Sequence, residues 1–368
     1  MNTFNCTRCG HVVFFENVRC EQCGSPLGFL PEARALVAFE PGADSVWRPA
    51  GGAPGEGWHP CRNYAVENVC NWMVAEADAL CASCRHTEVI PPLDKPENRR
   101  YWALLETAKR RLFHTLTGLG LAIPNRTEDP ERGLAFHFLE EVDAAHAVLT
   151  GHDSGLITLN IAEADDAERE ARRTALGEPY RTLLGHFRHE IGHFYWDRLI
   201  AGGGWLAPFR ALFGDETADY GASLQRHYRE GPPADWAGRF ISAYAAAHPW
   251  EDWAETWAHY LHVVDALDTA RHWGFALHAN GDAARPADLP RVDPSGMDFR
   301  QVLVEHWLPL AQFLNSMNRS LGQRDGYPFL LANPVLDKLE FAHRVAQSAK
   351  GLAWTQWPPS PPSTSPPT

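Results

Sequence analysis

The chain has 368 residues, 45% of them hydrophobic and 14 of them tryptophan, which excludes a largely disordered protein and leaves room for more than one domain. The net charge is −13, and no run approaches the roughly 18 apolar residues that a membrane-spanning helix needs. The chain starts with MNTFNC, which lacks the basic and apolar regions of a signal peptide, so we expect a cytoplasmic protein.

All eight cysteines lie between Cys6 and Cys84, and they fall into two sets. The first set forms two C-x2-C pairs, each followed by a glycine, which is a strong signature of a structural zinc site of the ribbon kind. The second set contains one such pair, so His59 and His86 are possible substitute ligands there. The first set is Cys6, Cys9, Cys20 and Cys23, and the second set is Cys61, Cys70, Cys81 and Cys84.

A disulfide framework is the alternative interpretation of these cysteines, but it needs an oxidising compartment. Because no signal peptide is visible, we expect reduced thiolates that hold two structural zinc ions. Zinc ribbons often bind nucleic acid, and that role needs a basic face. The first ninety residues contain six arginines, no lysine and ten acidic residues, so nucleic-acid binding is not expected.

The chain divides at a proline-rich segment, Pro91–Pro96. Residues 1–90 are loop-rich, as metal-stapled modules are, and we expect them to form a zinc-ribbon module that contains both cysteine sites. Residues 97–356 should form a second domain that opens on a helix from Asn98 to about Gly118. Residues 357–368 are rich in proline, so we expect a disordered tail.

Two strands are predicted in the first half of the second domain. Leu134–Phe138 is mostly apolar, and Leu156–Ile161 alternates in part between apolar and polar residues. The segment Gly151–Gly155 (GHDSG) is predicted to be a polar turn before the second strand.

His189–His193 (HEIGH) is the most informative string in the chain. It lies in a largely apolar run that favours a helix, and residues four apart share one helix face. His189 and His193 would therefore present two imidazoles to one metal ion, with Glu190 close enough to reach a water on that metal. A catalytic zinc keeps one position for water, so the string predicts a hydrolytic zinc site. Asp197, one turn further on, could accept a hydrogen bond from a ligand histidine.

The third ligand should be a carboxylate from elsewhere in the chain. Glu251 is the first choice, because Pro249 favours a helix start that places Glu251 in the first turn and Glu255 one turn later on the same face. One of the two could bind zinc while the other accepts a ring N–H from a ligand histidine. Glu216 is the alternative because it lies nearer to the HEIGH string, but Tyr220 stands where its partner carboxylate would be.

The E-x-x-x-E spacing of Glu251 and Glu255 resembles the carboxylate pair of gluzincins. The match is closest to the anthrax lethal factor and Mlc titration factor type, in which an H-E-F-x-H string precedes a distant glutamate followed by an aromatic–alanine pair. Here that segment is Glu251–Ala254 (EDWA). The resemblance implies an α+β fold: a zincin-like, mainly helical catalytic domain with a small mixed sheet. It also implies that Tyr244, seven residues before Glu251, donates a hydrogen bond to the developing oxyanion.

The order of the motifs also resembles a bacterial family of zinc-binding metallopeptidases with an N-terminal zinc-ribbon domain. The segments that carry this resemblance are C-x2-C-G with Val13–Asn17, Cys70–Trp72, Arg188–His193 and His248–Glu255. The resemblance covers most of residues 1–350 and implies peptidase activity without a defined substrate.

These patterns together predict a zinc peptidase with one catalytic and two structural zinc ions. Zinc held by His189, His193 and Glu251 would lower the pKa of a water towards about 7, and Glu190 would act as the general base. The substrate would be a peptide or protein that pairs with Leu156–Ile161 as an edge strand. The alternatives are an amidase or deacylase that acts on a small molecule or crosslink, and a non-catalytic scaffold that binds a protein partner.

Overall fold

The computed structural model describes residues 3–42, 45–52, 57–141, 148, 150–175, 178, 180–276 and 298–358. Within these residues, short strands dominate the first part of the chain and helices dominate the second. The strands are β1 (Thr3–Asn5), β2 (Val12–Phe14), β3 (Leu27–Leu30), β4 (Ala35–Pro41), β5 (Trp47–Pro49), β6 (His59–Pro60), β7 (Met73–Val74), β8 (Thr87–Val89), β9 (Ala135–Leu139), β10 (Gly151–Asp153) and β11 (Leu156–Asn160). The helices are α1 (Arg62–Ala65), α2 (Pro96–Gly118), α3 (Asp166–Ala175), α4 (Leu183–Tyr195), α5 (Leu206–Phe213), α6 (Tyr220–Glu230), α7 (Pro249–His272), α8 (Phe299–Val302), α9 (Leu308–Ser320) and α10 (Asn333–Ala349).

Among the described residues, three small antiparallel sheets build the cysteine-rich part of the chain. β1 pairs with β2, the strands β3, β4 and β5 form a second sheet, and β6 pairs with β7. Gly10 and Gly24 close the two turns of the first cysteine set, with φ angles of 75° and 71°. Their N–H groups donate to the carbonyls of Cys6 and Cys20 at 2.8 Å, so these tight turns require glycine.

A four-stranded mixed sheet lies beside the helices, in the order β10–β11–β9–β8. β10 and β11 are antiparallel, whereas β11, β9 and β8 run parallel. The expectation of a small mixed sheet is therefore confirmed. β8 comes directly after the last cysteines, so the cysteine-rich part of the chain contributes a strand to this sheet.

The predicted edge position of Leu156–Ile161 is wrong. β11 occupies this segment, and β10 covers its outer side, so β10 is the terminal strand of the sheet among the described residues. The predicted polar turn is shorter than expected, because only Ser154 and Gly155 turn, with φ angles of 48° and 88°. A Cβ on Gly155 would meet the Arg132 carbonyl oxygen at 2.6 Å, so the tight hairpin needs a glycine there.

The helices α4 and α7 pack against each other at close range. α4 begins after Thr182, whose hydroxyl accepts a hydrogen bond from the Gly185 N–H at 3.0 Å. A Cβ on Gly192 would lie only 3.0 Å from the Cα of Ala254, so the missing side chain permits the close approach. The Gly192 carbonyl also accepts a hydrogen bond from Trp253 Nε1 at 2.8 Å. These contacts bring the first turn of α7 beside the HEIGH turn of α4.

A large hydrophobic core runs through both parts of the described chain, and a small second cluster consists of Leu30, Phe39 and Met73. On one side of α2, Phe136 of β9 lies between Phe113 of α2 and Phe187 of α4, with ring centroids 6.3 and 5.7 Å apart. On the cysteine-rich side, the Phe15 ring lies 5.1 Å from the His114 ring of α2. The helix α2 therefore joins the cysteine-rich part to the sheet and to α4, and its start near Asn98 confirms the predicted helix.

The last described residues pack against the helices. Trp357 is buried, and its ring centroid lies 6.0 Å from that of Tyr195. Trp357 is therefore not part of the predicted tail, and residues 359–368 lie outside the described residues. Across the described part of the chain, no helix combines the length and the apolar character needed to cross a membrane.

Candidate functional site

The HEIGH string lies in α4, where His189 and His193 are one helical turn apart. Their Nε2 atoms are 3.2 Å apart. The Oε2 atom of Glu251 lies 3.1 Å from Nε2 of His189 and 3.7 Å from Nε2 of His193. Among the described residues, these three side chains form a group that could hold a metal ion. The structure thus brings together the two histidines and the preferred third residue.

Glu216, the alternative third ligand, is engaged elsewhere. Its carboxylate forms an ion pair with Arg210 at 2.5 Å. Glu251 reaches the histidines because α7 begins at Pro249, as predicted from the sequence. His248 caps this helix, because its Nδ1 accepts a hydrogen bond from the backbone N–H of Trp250 at 3.1 Å.

The three donor atoms fit a zinc ion. Tetrahedral zinc with ligand distances of about 2.0–2.2 Å places neighbouring donors about 3.3–3.6 Å apart, close to the spread observed here. Among the described residues Glu251 Oε2 is buried without a hydrogen-bond partner, which is costly for a carboxylate unless a cation binds it. Burial opposes a charge on His189, but the adjacent carboxylates of Glu251 and Glu255 hold its pKa well above the ordinary value. The carboxylates around His189 therefore favour a positive charge between the three donor atoms.

His189 is oriented by a carboxylate. Its Nδ1 lies 2.8 Å from Glu255 Oε1, so the predicted hydrogen bond between Glu255 and a histidine of the string is present. The Ser242 hydroxyl donates to Glu255 Oε2 at 2.6 Å. Within the described residues, His193 Nδ1 is buried without a hydrogen bond, and the His193 ring instead packs on Trp250 with centroids 3.7 Å apart. The hydrogen bond with Glu255 therefore orients His189, whereas packing on Trp250 orients the His193 ring.

Asp197 does not hold either histidine of the string, contrary to the prediction. α4 ends at Tyr195 and a π-helical turn follows over Trp196–Ile200, which changes the helical register on which the prediction rested. Asp197 Oδ2 lies 4.0 Å from Nδ1 of His152 on β10, and burial raises the pKa of Asp197 to about 7. The centroid of the buried His152 ring lies 6.2 Å from that of the His193 ring. His152, which belongs to the segment predicted to be a polar turn, therefore lies beside the metal-binding group.

Glu190 is buried and contacts His186, whose Nε2 lies 3.4 Å from Glu190 Oε1. On its other side, Nδ1 of His186 faces the buried Glu163 at 3.9 Å, and Arg181 binds Glu163 at 2.8 Å. Burial alone would raise the pKa of Glu190, but the hydrogen bond with His186 and the charges of the nearby histidines hold it below the ordinary value. Glu190 is therefore ionised at neutral pH, as a general base must be.

Two tyrosines approach the site from segments outside α4. Tyr244 lies in a short 3-10 turn, Tyr244–Ala246, and its ring centroid is 6.0 Å from that of His189. Burial raises the pKa of Tyr244 well above the ordinary value, so its phenol stays protonated at neutral pH and can donate a hydrogen bond. Tyr220, the first residue of α6, donates a hydrogen bond to Glu251 Oε1 at 2.7 Å.

The two predicted cysteine sets form two further potential metal-binding groups. In the first set, the Sγ atoms of Cys6 and Cys23 are 3.7 Å apart, and those of Cys9 and Cys20 are also 3.7 Å apart. In the second set, the Sγ atoms of Cys70 and Cys81 are 3.8 Å apart. Zinc bound to four thiolates requires about 3.8 Å, whereas a disulfide requires about 2.05 Å. All eight cysteines are free, so the disulfide alternative is wrong. His59 and His86 belong to neither group.

The sequence did not reveal three contacts at the site: Tyr220–Glu251, Ser242–Glu255 and His186–Glu190. His186 had a usable signal, because it lies one turn before Glu190 on the same helix face. Tyr220 and Ser242 lie 31 and 13 residues from their partners, on other segments, and nothing in their local sequence marks them.

A family model described as "Putative zinc-binding metallo-peptidase" matches residues 98–345, and a zinc-ribbon domain model matches residues 3–95. Three uncharacterized proteins, one from Mycobacterium bovis and two from strains of Mycobacterium tuberculosis, are each 44% identical to the chain over 348 residues. The matches cover 94% of this chain and 95% of each relative. No solved structure matches the chain significantly. The metallo-peptidase match spans more than half of the chain and includes α4 and α7, and the chain therefore belongs to this zinc-binding metallo-peptidase family and carries an N-terminal zinc-ribbon domain.

Proposed function

We propose that the protein is a zinc-dependent peptidase that hydrolyses amide bonds at the group formed by His189, His193 and Glu251. The observation that carries the proposal is the convergence of two imidazole nitrogens and one buried carboxylate oxygen, with 3.1–3.7 Å between the three atoms. As part of the proposal we assign the helical part of the chain to the zincin-like, gluzincin class, on the HEIGH string and the carboxylate pair that begins at Glu251.

The reaction needs a base and a donor, and the chain offers both. A zinc ion held by the three residues would polarise the substrate carbonyl and lower the pKa of a water towards about 7. Glu190 accepts a proton from the attacking water and returns it to the leaving amine nitrogen. His186 fixes the direction of the Glu190 carboxylate. Tyr244 donates a hydrogen bond to the carbonyl oxygen, on which negative charge develops.

The position of β10 favours an extended substrate. β10 is the terminal strand among the described residues, and it packs beside α4. A peptide that pairs with β10 would run along α4 and pass the HEIGH turn. The substrate we propose is therefore a peptide or an extended segment of a protein.

Zinc stoichiometry tests the metal assignment directly. We expect three zinc ions per chain, one at the HEIGH group and one in each cysteine group. His189→Ala should remove one of them, and Cys9→Ser should remove a different one, as measured by metal analysis of purified protein. Two ions per chain, both lost when the cysteines are replaced, together with absent hydrolysis would favour a non-catalytic scaffold.

Hydrolysis itself is tested with Glu190→Gln. This change removes the base but preserves the shape of the side chain, so cleavage should fall by about 100- to 10,000-fold while zinc stays bound. A mass-spectrometric digest of a peptide library measures cleavage, and a panel of small amides run in parallel separates a peptidase from an amidase or deacylase. Near-normal cleavage by the variant would show that Glu190 is not the base.

A further inference from the structure

The two carboxylate oxygens of Glu251 have different surroundings. Oε2 faces the Nε2 atoms of His189 and His193, and it makes no hydrogen bond within the described part of the chain. Oε1 accepts the hydrogen bond from the Tyr220 hydroxyl at 2.7 Å. Glu251 is only 1% exposed, so the protein rather than bulk solvent determines how the carboxylate is turned.

The direction of this carboxylate matters for metal binding. A carboxylate can bind a cation through one oxygen or through both, and it can rotate between these arrangements. A tetrahedral zinc site that keeps a position open needs one oxygen only. Because a hydrogen bond to an ionised acceptor is strong, the Tyr220 hydroxyl occupies Oε1 and leaves Oε2 directed at the histidines.

Tyr220 is itself held in place from two sides. It begins α6, whose N-cap residue Asp219 accepts a backbone hydrogen bond at 2.9 Å. Its ring packs edge-on against Trp250 and His248, with centroids 5.7 and 5.3 Å apart. His248 is the N-cap of α7 and Trp250 directly precedes Glu251, so both rings stand at the start of the helix that carries Glu251. The phenol and the carboxylate that it binds are therefore fixed relative to each other.

We propose that Tyr220 is a positioning residue that sets the zinc affinity of the site by holding Glu251 with a single oxygen towards the metal. The inference rests on the metal group of the proposed function, but it does not depend on hydrolysis. It is also independent of the contact between Ser242 and Glu255, which acts on His189.

The test is Tyr220→Phe, which removes the hydroxyl and keeps the ring. Tyr101→Phe is the matched control, because it also removes a phenol hydroxyl that donates to a carboxylate, here Asp165 Oδ2 at 2.8 Å, and neither residue belongs to a metal-binding group. The full-length proteins are stripped of zinc at this site with a mild chelator. Their affinity for Zn²⁺ is then measured by competition with a chromophoric chelator, and a Co²⁺ titration followed by absorption reports on the same site.

We expect Tyr220→Phe to raise the zinc dissociation constant by about 10- to 100-fold, as the loss of a partner of a metal ligand typically does. Tyr101→Phe should leave the constant unchanged. If Tyr220→Phe binds zinc as tightly as the unmodified protein, the positioning role is refuted.

Glu251→Gln separates the two ways of failing. If Glu251→Gln weakens zinc binding and Tyr220→Phe does not, the metal group stands and the role of Tyr220 falls. If neither change weakens binding, the third ligand of the proposed function is wrong as well. Melting curves of the zinc-stripped variants check folding, and Tyr220→Met, which keeps most of the bulk without a hydroxyl, carries the same expectation if the phenylalanine variant does not fold.

Discussion

At the scale of single residues, the Glu190 carboxylate contacts the His186 ring of its own helix at 3.4 Å. His186 in turn faces Glu163, which Arg172 and Arg181 bind at 3.1 and 2.8 Å. A base that transfers a proton must point one oxygen at the water, and a contact on its other oxygen fixes that direction. In the proposed mechanism His186 would therefore act through Glu190, without contact with the substrate.

We expect His186→Gln to lower kcat on a cleaved peptide by about tenfold, because the Glu190 carboxylate loses its fixed contact. Zinc content should not change, since His186 is not one of the three donors. Steady-state kinetics and metal analysis measure the two quantities. His272→Gln, at the last residue of α7, is the control for a histidine change. A normal kcat in His186→Gln would mean that Glu190 does not depend on this contact.

The sequence predicted those site residues that lie one helical turn apart on a regular helix. It did not predict the site residues that come together across a helix irregularity or from separate segments. His189 and His193 share a face because they are four residues apart, and that rule needs only a local helix. Asp197 is also four residues from His193 in the sequence, but the π-helical turn that starts at Trp196 moves its side chain towards His152 of β10. Tyr220 acts across space from another helix, and no spacing rule connects it with Glu251.

At the scale of elements, the site depends on the distance between α4 and α7. Gly192 sets that distance, because a Cβ there would lie 3.0 Å from Ala254 Cα and 3.2 Å from Trp257 Cβ. A methyl group at this position has no free space, so α7 would have to move away from the HEIGH turn. The group most affected is Glu251, which reaches the histidines from the first turn of α7.

We expect Gly192→Ala to lower the free energy of unfolding by about 1–3 kcal/mol relative to Gly221→Ala. Both changes put alanine into a helix and share its higher helix propensity, but a Cβ on Gly221 meets only Asp219 Oδ1 at 3.7 Å. The difference between the two variants therefore reports on packing, and urea denaturation in saturating zinc measures it. Equal effects of the two changes would show that α7 tolerates the methyl group.

Helix starts were predictable from the sequence, but the order of the strands was not. Pro96 and Pro249 stand at the first positions of α2 and α7, where proline favours a helix start. β10 has three residues, too few for a visible alternation of apolar and polar side chains, so the sequence placed β11 at the edge. Strand order depends on contacts between distant segments, and a single sequence does not show them.

At the scale of the whole molecule, the two cysteine groups differ in exposure. Cys9 and Cys23 are exposed, whereas all four cysteines of the second group are buried. The second group also lies next to α2, where Cys84 Sγ is 3.9 Å from the buried Glu106 carboxylate. Release of zinc from the second group would therefore require the core around α2 to open.

We expect an alkylating reagent applied with a zinc chelator to label the first cysteine group much faster than the second. Labelling of the second group should follow the rate of global unfolding, because its thiols are reachable only in the unfolded chain. Peptide mass mapping over time measures both rates. Equal rates for Cys9 and Cys70 in the native protein would contradict this expectation.

The pH dependence of stability should include a contribution from His114. Burial and the neighbouring Arg34 lower the pKa of His114 to about 3, against an ordinary value of 6.5. Between these values the unfolded chain binds a proton that the folded chain does not, so stability is complete above pH 6.5 and falls as the pH decreases below it. The slope from this one group approaches about 1.4 kcal/mol per pH unit.

His114→Phe should remove that slope, since the ring packs beside Phe15 and phenylalanine does not titrate. Urea denaturation of both proteins in saturating zinc between pH 7.5 and pH 5.5 gives the comparison. Between pH 5.5 and pH 7.5, the free energy of unfolding of the unmodified protein should rise by about 1.4 kcal/mol relative to that of the variant, whatever the constant offset from the substitution. Parallel pH profiles would mean that His114 is protonated in the folded protein.

β8 has a consequence for how this protein can be cut and recombined. It follows the last cysteines through the short turn Cys84–His86 and pairs with β9, so the sheet beside α4 is completed by residues that lie before the metallo-peptidase match at 98–345. A fragment cloned from residue 98 would present the bare backbone edge of β9, which invites aggregation. An exchange of the zinc-ribbon domain between relatives would succeed only if the incoming domain included a strand that pairs with β9 as β8 does.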